Sequence, residues 1–333
     1  MIKKFLKSHP IHRKIVTKLD YFFLIRPTLF FSVWVMMAIG MATARIQYSL
    51  PAVGIHQFSF STLLSFIGVS FVSASAFIIN QIMDIESDTV NKKLFLVGTH
   101  ITVKKSNKIA RALAIIGVAF TLLGNWITSI FTILLYLVWG ILYNQPPFRW
   151  KNKPLAGWSA NIIAGLVLYT IGWVTISVRS DILFPPLLDF VRLVLPYLLC
   201  FGSVALLTTI PDVKGDELSG DKTFPLVFGK NLTLFIAFIL PSGAFIIGLK
   251  NIDPIASSAA ISSIPFFIFA LFRQLDKDIL RAIRYPVFIL NFFALTVYPL
   301  LAIPLILTFY LSKYYYWHRF DIHYPTFLVD DSH

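Results

Sequence analysis

Cysteine is almost absent from this chain, and charge is scarce. A single cysteine, Cys200, among 333 residues excludes an internal disulfide and a cysteine-based metal cluster. It lies inside an apolar run, where a thiol packs as a small hydrophobe. Charged residues make up 14% of the sequence against 57% apolar, and the mean hydropathy is +0.75, which excludes an ordinary water-soluble domain. The alternating polar and apolar segments of a transmembrane β-barrel are also missing. Runs such as Leu232–Leu249 and Val287–Leu311 hold almost no polar residue in either register. The lysine-rich start, Met1–Asp20, lacks the short apolar core and small-residue cleavage site of a signal peptide, so the first span is expected to be retained. No acid precedes Asp20, as in transit peptides, but Ser and Arg are few there.

What is present is a series of apolar runs near the ~20 residues that cross a ~30 Å hydrocarbon layer as helix. They lie at Thr28–Thr43, Phe58–Ile82, Ile109–Trp126, Ile127–Asn144, Gly157–Val178, Val191–Pro211, Asn231–Leu249, Pro254–Phe272 and Tyr285–Leu311. The expected fold is therefore all-α, a multi-pass membrane bundle of about nine transmembrane helices. Residues 1–21 form a basic cytoplasmic segment, 22–312 the membrane domain and 313–333 a polar tail. Separation of the third and fourth runs rests on Gly124-Asn125 and on the distribution of cations. Nine spans put 23 of the 29 basic residues on one face and 6 on the other, whereas fusing that pair splits the clusters Lys92–Arg111 and Arg149–Lys153 between faces. The rule places the N-terminus inside and the C-terminus outside, at the plasma membrane. The net charge of +13 is then topology and attraction to anionic lipid. Nucleic acid is not needed to explain it.

The acids cluster. Asp84, Glu86 and Asp88 follow the second span; Asp212, Asp216, Glu217 and Asp221 follow the sixth. Both groups open onto the basic face, four spans apart, which reads as two pseudo-repeated halves. Asn80, Asp84 and Asp88 recur every fourth residue, so on a continuous helix they form one stripe. Asp212 and Asp216 repeat that step. Like charges at this spacing repel by a few tenths of a kcal/mol, and acids toward bilayer depth cost about 2.5–3.5 kcal/mol each, so a cation should offset them. Two facing acid pairs make an oxygen-only site suited to Mg²⁺, which keeps waters and shares substrate phosphate. After the fourth span the chain reads Tyr143-Asn-Gln-Pro146-Pro147-Phe-Arg149-Trp-Lys151. The prolines end the helix, and Arg149 and Lys151 follow as candidate phosphate ligands. Arg26 stands at the entrance of the first span.

At these residues, from Arg26-Pro27 to the ninth span, the sequence resembles the UbiA family of intramembrane prenyltransferases. Asn80, Asp84 and Asp88 match its first acidic motif; Asp212 and Asp216, with Gly220-Asp221-Lys222-Thr223 downstream, match its second. The resemblance implies that Asn80, Asp84, Asp88, Asp212 and Asp216 hold Mg²⁺ against an allylic prenyl diphosphate. Arg26, Arg149, Lys151 and Lys222 then take up the diphosphate charge, with Tyr143 beside them. The acceptor is implied to be hydrophobic, a quinone precursor or lipid-like, and membrane lipid surrounds the site. Two departures stand out: Gln81 replaces a frequent acid, and 92–98 reads Lys-Lys-Leu-Phe-Leu-Val-Gly where the family often has an Arg-Pro and Pro-Ser-Gly stretch. The competing reading is a non-enzymatic, ion-coupled carrier of an anionic lipid or solute. A carrier should place ionisable residues at mid-membrane, whereas here both acid clusters lie on one face.

Overall fold

The structure, a computed structural model, describes residues 9–50, 58–91, 96–178 and 183–326. Most of Met1–Asp20 beyond residue 8 is therefore described, while 92–95 of the departing stretch and 327–333 lie outside the described residues. Helices occur in the order α1 (Pro10–Phe23), α2 (Phe30–Gln47), α3 (Phe60–Met83), α4 (Ile85–Val90), α5 (Val103–Gly124), α6 (Trp126–Leu135) and α7 (Pro154–Ser177). The second half runs α8 (Leu187–Leu207), α9 (Val213–Leu218), α10 (Phe224–Phe228), α11 (Lys230–Lys250), α12 (Pro254–Arg273), α13 (Asp276–Val297) and α14 (Ala302–Phe320). A short 3₁₀ turn, Pro27–Leu29, leads into α2, and a wide π-type turn, Tyr136–Tyr143, extends α6. Nine helical segments among the described residues are long and apolar enough to cross a bilayer.

Polar residues at the ends explain where several helices begin. Ser59, Thr102 and Asp253 accept hydrogen bonds from first-turn amides of α3, α5 and α12. The expected break between the third and fourth spans falls at Asn125. Its extended backbone (φ −168°, ψ 130°) interrupts the helix, and its Oδ1 accepts from Ile127 N at 2.7 Å and Thr128 N at 3.3 Å. One capping side chain thus divides an uncharged stretch that hydropathy alone reads as continuous.

Close packing follows from small residues, as expected where lipid supplies no hydrophobic drive between helices. Gly40 of α2 and Gly172 of α7 face each other so tightly that a Cβ on Gly172 would stand 1.9 Å from the Met37 carbonyl oxygen. Gly68 of α3 and Gly117 of α5 repeat the arrangement, each backbone meeting the other's carbonyl. Further contacts run α5–α6–α7–α8–α11–α12–α13 and close from α13 back to α2, so the long helices form a ring around a central space.

Two expectations are corrected. The ninth span is α13, Asp276–Val297, and it stops where Tyr298 turns out of helical geometry (φ −124°, ψ 76°) before Pro299. The run to Leu311 is thus two helices. Residues 313–320, expected as the start of a polar tail, complete α14, in which Tyr315 is fully buried. At about 1.5 Å per residue the 19 residues of α14 cover about 28 Å. Its far end carries Arg319, which pairs with Asp20 at 3.1 Å, and Tyr315, which donates to Asp20 at 2.6 Å. Tyr324 then meets Thr28 at 3.1 Å. The C-terminal end of the described chain therefore lies at the same end of the bundle as the start of the first span. Gln81 Nε2 donates to the Leu24 carbonyl at 2.8 Å, which puts the end of α3 and its acids there too. The expected external C-terminus falls on residues 327–333, outside the described residues.

A topology reporter fused after residue 326 should read on the same side as one at residue 9, with one inserted at residue 50 on the other. Gly172→Val should cost about 3 kcal/mol, at the upper end of overpacking penalties, in reversible unfolding from detergent. Gly243→Ala, where a Cβ meets its nearest atom at 3.7 Å, should change stability little.

Candidate active site

The acids of the first cluster sit at a bend. α3 ends at Met83, and Asp84 occupies a bridge conformation (φ −107°, ψ 12°) before α4 begins. The four-residue hydrogen-bond step nevertheless persists, from Asp84 N to Asn80 O at 3.0 Å and from Asp88 N to Asp84 O at 2.8 Å. The stripe read from spacing thus survives a change of helix axis. Asn80 Nδ2 donates to Asp84 Oδ2 at 2.5 Å. Asp88 is buried and Asp84 half-buried, whereas Glu86 is exposed.

The second cluster does not continue α8. That helix ends at Leu207, a turn follows, and Asp212 stands at the start of α9. Asp216 N again bonds to the carbonyl four residues back, at 3.0 Å. Asp216 is buried and Asp212 half-buried; Glu217 is exposed. α4 and α9 then meet across more than 120 residues of sequence. The clip is Asn91, whose Nδ2 donates to Asp212 O at 3.2 Å and whose Oδ1 accepts from Gly215 N at 2.9 Å. Gly215 is required there, since a Cβ would lie 2.6 Å from the Ser87 carbonyl oxygen. Spacing analysis missed Asn91. The signal available was its place three residues after Asp88, one helical turn along the same stripe.

The basic loop folds onto this junction. Asn144 Nδ2 and Gln145 Nε2 donate to the carbonyls of Trp139 and Gly140, at 2.6 Å and 2.9 Å, satisfying groups that the π turn leaves over. Pro146 and Pro147 end the helix, and Arg149 adopts a left-handed backbone (φ 35°, ψ 56°), unusual for a residue with a Cβ. Arg149 lies 4.0 Å from buried Asp221, and Arg149 Nε and Asp221 Oδ1 are buried without a hydrogen bond. The Lys151 ammonium rests directly on Asp84. Burial lowers the Lys151 pKa to about 8, with Asp221 and Asp216 pulling the other way. Among the described residues no three carboxylates, histidines or cysteines converge at ligand distance. Instead a protein cation sits against the carboxylates.

Lys222 is exposed, and its neighbours Asp221 and Thr223 are the buried residues of that turn. The structure brings Asp221, rather than exposed Lys222, beside Arg149. Tyr143 ends the π turn within electrostatic reach of Asp212, Asp216 and Asp221. Arg26, the other strained arginine (φ 52°, ψ 61°), precedes the turn into α2. Arg26, Asn80 and Tyr143 all line a cavity of about 800 Å³ inside the ring of helices. Its walls are mainly apolar, and three prolines within helices, Pro196, Pro241 and Pro286, face it. Such breaks in the backbone ladder are tolerated at membrane depth where they line a cavity.

A model of the UbiA prenyltransferase family matches residues 32–292. A 2-acylphloroglucinol 4-prenyltransferase from Humulus lupulus is 28% identical over 228 residues, 65% of this chain and 53% of the hop protein. A digeranylgeranylglyceryl phosphate synthase from Saccharolobus solfataricus is 27% identical over 223 residues, 62% of this chain and 65% of that protein. The match thus spans about half to two thirds of the length of these relatives. A UbiA homologue from Archaeoglobus fulgidus, solved bound to GPP and Mg²⁺, superimposes with a TM-score of 0.61 at 18% identity, covering 84% of this chain and 99% of that one. At that identity the likeness is one of fold.

Asn91→Ala should loosen the α4–α9 junction, because two hydrogen bonds of about 1 kcal/mol each are removed. Spin labels at exposed Glu86 and Glu217 should give a broader distance distribution in the variant, with the thermal midpoint little changed. An unaltered distribution would mean that Asn91 does not hold the two clusters together.

Proposed function

The chain belongs to the UbiA prenyltransferase family, and on that premise we propose that it transfers a prenyl group from an allylic diphosphate to an apolar acceptor and releases pyrophosphate. The observation that carries the proposal is the junction of two acid-bearing short helices, clipped by Asn91, at one end of an apolar cavity. Carboxylates so gathered require a cation, and Lys151 already stands in for one against Asp84. The donor set is all oxygen, which suits Mg²⁺ sharing its remaining positions with water and phosphate. Asp84, Asp88, Asp212 and Asp216, with Asn80 beside them, would hold it. When bound, the ion supplies positive charge that stabilises the departing diphosphate.

The protein's own groups do the rest. Arg149 and Lys151 take up charge on the diphosphate oxygens as the allylic C–O bond breaks and its electron pair leaves with pyrophosphate. Asp221 orients Arg149. Tyr143 lines the cavity at this end and offers a ring face to the allylic cation. The apolar walls hold the prenyl tail and keep water from quenching the cation. A nucleophilic carbon or oxygen of the acceptor forms the new bond and gives up a proton. The named products of the relatives suggest two acceptor classes, phenolic and lipid-like. The charge bias of the sequence supports a cytoplasmic position for the acid-bearing end, with the plasma membrane as the proposed location.

In lipid nanodiscs containing neutral lipid only, geranyl diphosphate, Mg²⁺ and a suitable acceptor should give prenylated product and pyrophosphate in equal amounts. A chelator should abolish both. Asp84→Asn and Asp212→Asn should each lower turnover by about 100-fold or more, the scale set by removing one electrostatic contact to a transition state, while folding is retained. Full turnover in chelator, or chemically unchanged substrate crossing a sealed vesicle without pyrophosphate, would favour the carrier reading.

A further inference from the structure

The cavity wall near the acid clusters is aromatic, and one amide holds it in place. Phe77 of α3 and Trp139 of the π turn pack with ring centroids 5.8 Å apart, and both line the cavity together with Asn80 and Tyr143. Phe77 precedes Asn80 and Trp139 precedes Tyr143 by about one helical turn, so these rings begin just beyond the residues that stand beside the acids. Asn161 of α7 lines the same wall. An amide in an apolar surface is costly unless its polar atoms are paired, and here they are. Trp139 Nε1 donates to Asn161 Oδ1 at 3.1 Å, and Asn161 Nδ2 donates to the Gly157 carbonyl at 3.1 Å. An indole N–H only donates and a carbonyl only accepts, so these partners fix which way the amide points. The Tyr143 hydroxyl lies within reach of the same amide. Trp139 is held from its backbone as well, since Asn144 Nδ2 donates to its carbonyl at 2.6 Å. Gly157 in turn packs against the basic loop, where a Cβ would lie 3.1 Å from Lys151 Cα. Asn161 thus ties the aromatic wall to the segment that carries Lys151.

We propose that Asn161 is a positioning residue for the allylic cation: by fixing the Trp139 indole, with the Tyr143 phenol beside it, it keeps aromatic surface rather than water against the reacting carbon. The inference rests on the prenyl-transfer reading and adds to it the device that decides the fate of the cation. When the allylic C–O bond breaks, its electron pair leaves with pyrophosphate. The cation then has three outlets. A pyrophosphate oxygen takes it back, the acceptor captures it, or water adds and loses a proton to give a prenyl alcohol. Aromatic faces stabilise a cation without offering it a nucleophile, and a closed apolar wall withholds the third outlet. An indole free to change rotamer would open that wall, and its bond to Asn161 removes the freedom.

The test follows the cation with no acceptor present. Full-length protein in neutral-lipid nanodiscs is given Mg²⁺ and geranyl diphosphate labelled with heavy oxygen at the bridging position. Movement of the label to non-bridging positions counts ionisation followed by return; geraniol and linalool count capture by water. In the parent the label should scramble with little alcohol formed. Asn161→Leu, which keeps the volume and removes the amide, should raise the ratio of alcohol to scrambling about tenfold, the scale of a lost cation–aromatic contact. Geranyl diphosphate with Mg²⁺ should still bind this variant within about twofold of the parent. Trp139→Phe keeps a ring and loses the N–H, and should move the ratio the same way by a smaller factor; it carries the test alone if Asn161→Leu does not fold. A general packing defect lowers both counts together and does not raise one against the other. An unchanged ratio in both variants, or loss of scrambling with diphosphate binding intact, would overturn the role of Asn161 and leave prenyl transfer standing. Neither scrambling nor alcohol from the parent would count against an ionising donor, and so against both readings.

Discussion

Carboxylates gathered at one end of an apolar bundle repel one another, and every other feature of the site answers that repulsion. Asp88 and Asp216 are buried, Asp84 and Asp212 half-buried, and Asp221 is buried beside them. Water does not dilute their fields as it does for the exposed Glu86 and Glu217. Among the described residues, one loop supplies cations against part of this charge, Lys151 on Asp84 and Arg149 beside Asp221. The same imbalance that demands cations makes the junction a place where a divalent ion and a polyanionic substrate can be exchanged against protein charge.

The bundle supplies the opposite environment a short distance away. Glycine pairs on α2–α7 and α3–α5 bring helix backbones into contact, while prolines in α8, α11 and α13 line the cavity. Close helix contacts and an apolar interior let the acid-bearing helices be held at a fixed place while the cavity accepts a flexible chain. Charge at one end and hydrocarbon along the rest is the division that an amphiphilic diphosphate presents in reverse.

Much of this was legible in the sequence. Span number came from hydropathy and cation bias, and Asn125 divides the third and fourth where a weak break was read. The four-residue steps Asp84–Asp88 and Asp212–Asp216 both persist as backbone hydrogen bonds, whether or not the helix stays straight. What periodicity could not convey was tertiary. Tyr298 and Pro299 end a helix within an apolar run that looks continuous, so periodicity did not reveal α14 as a separate helix. Asn91 is an ordinary polar residue until α9 is packed against it. The left-handed backbones of Arg26 and Arg149 are likewise not written in the local sequence.

The central claim is that one cation site is shared by both acid clusters. Crystals grown with Mn²⁺ and a non-hydrolysable prenyl diphosphate analogue, measured at the manganese absorption edge, test it directly. The account predicts anomalous density at the α4–α9 junction, with carboxylate oxygens of both the Asp84–Asp88 and Asp212–Asp216 groups and an analogue phosphate oxygen within bonding distance of metal. Metal held by one cluster alone, or an analogue seated with no metal between it and the acids, would contradict it.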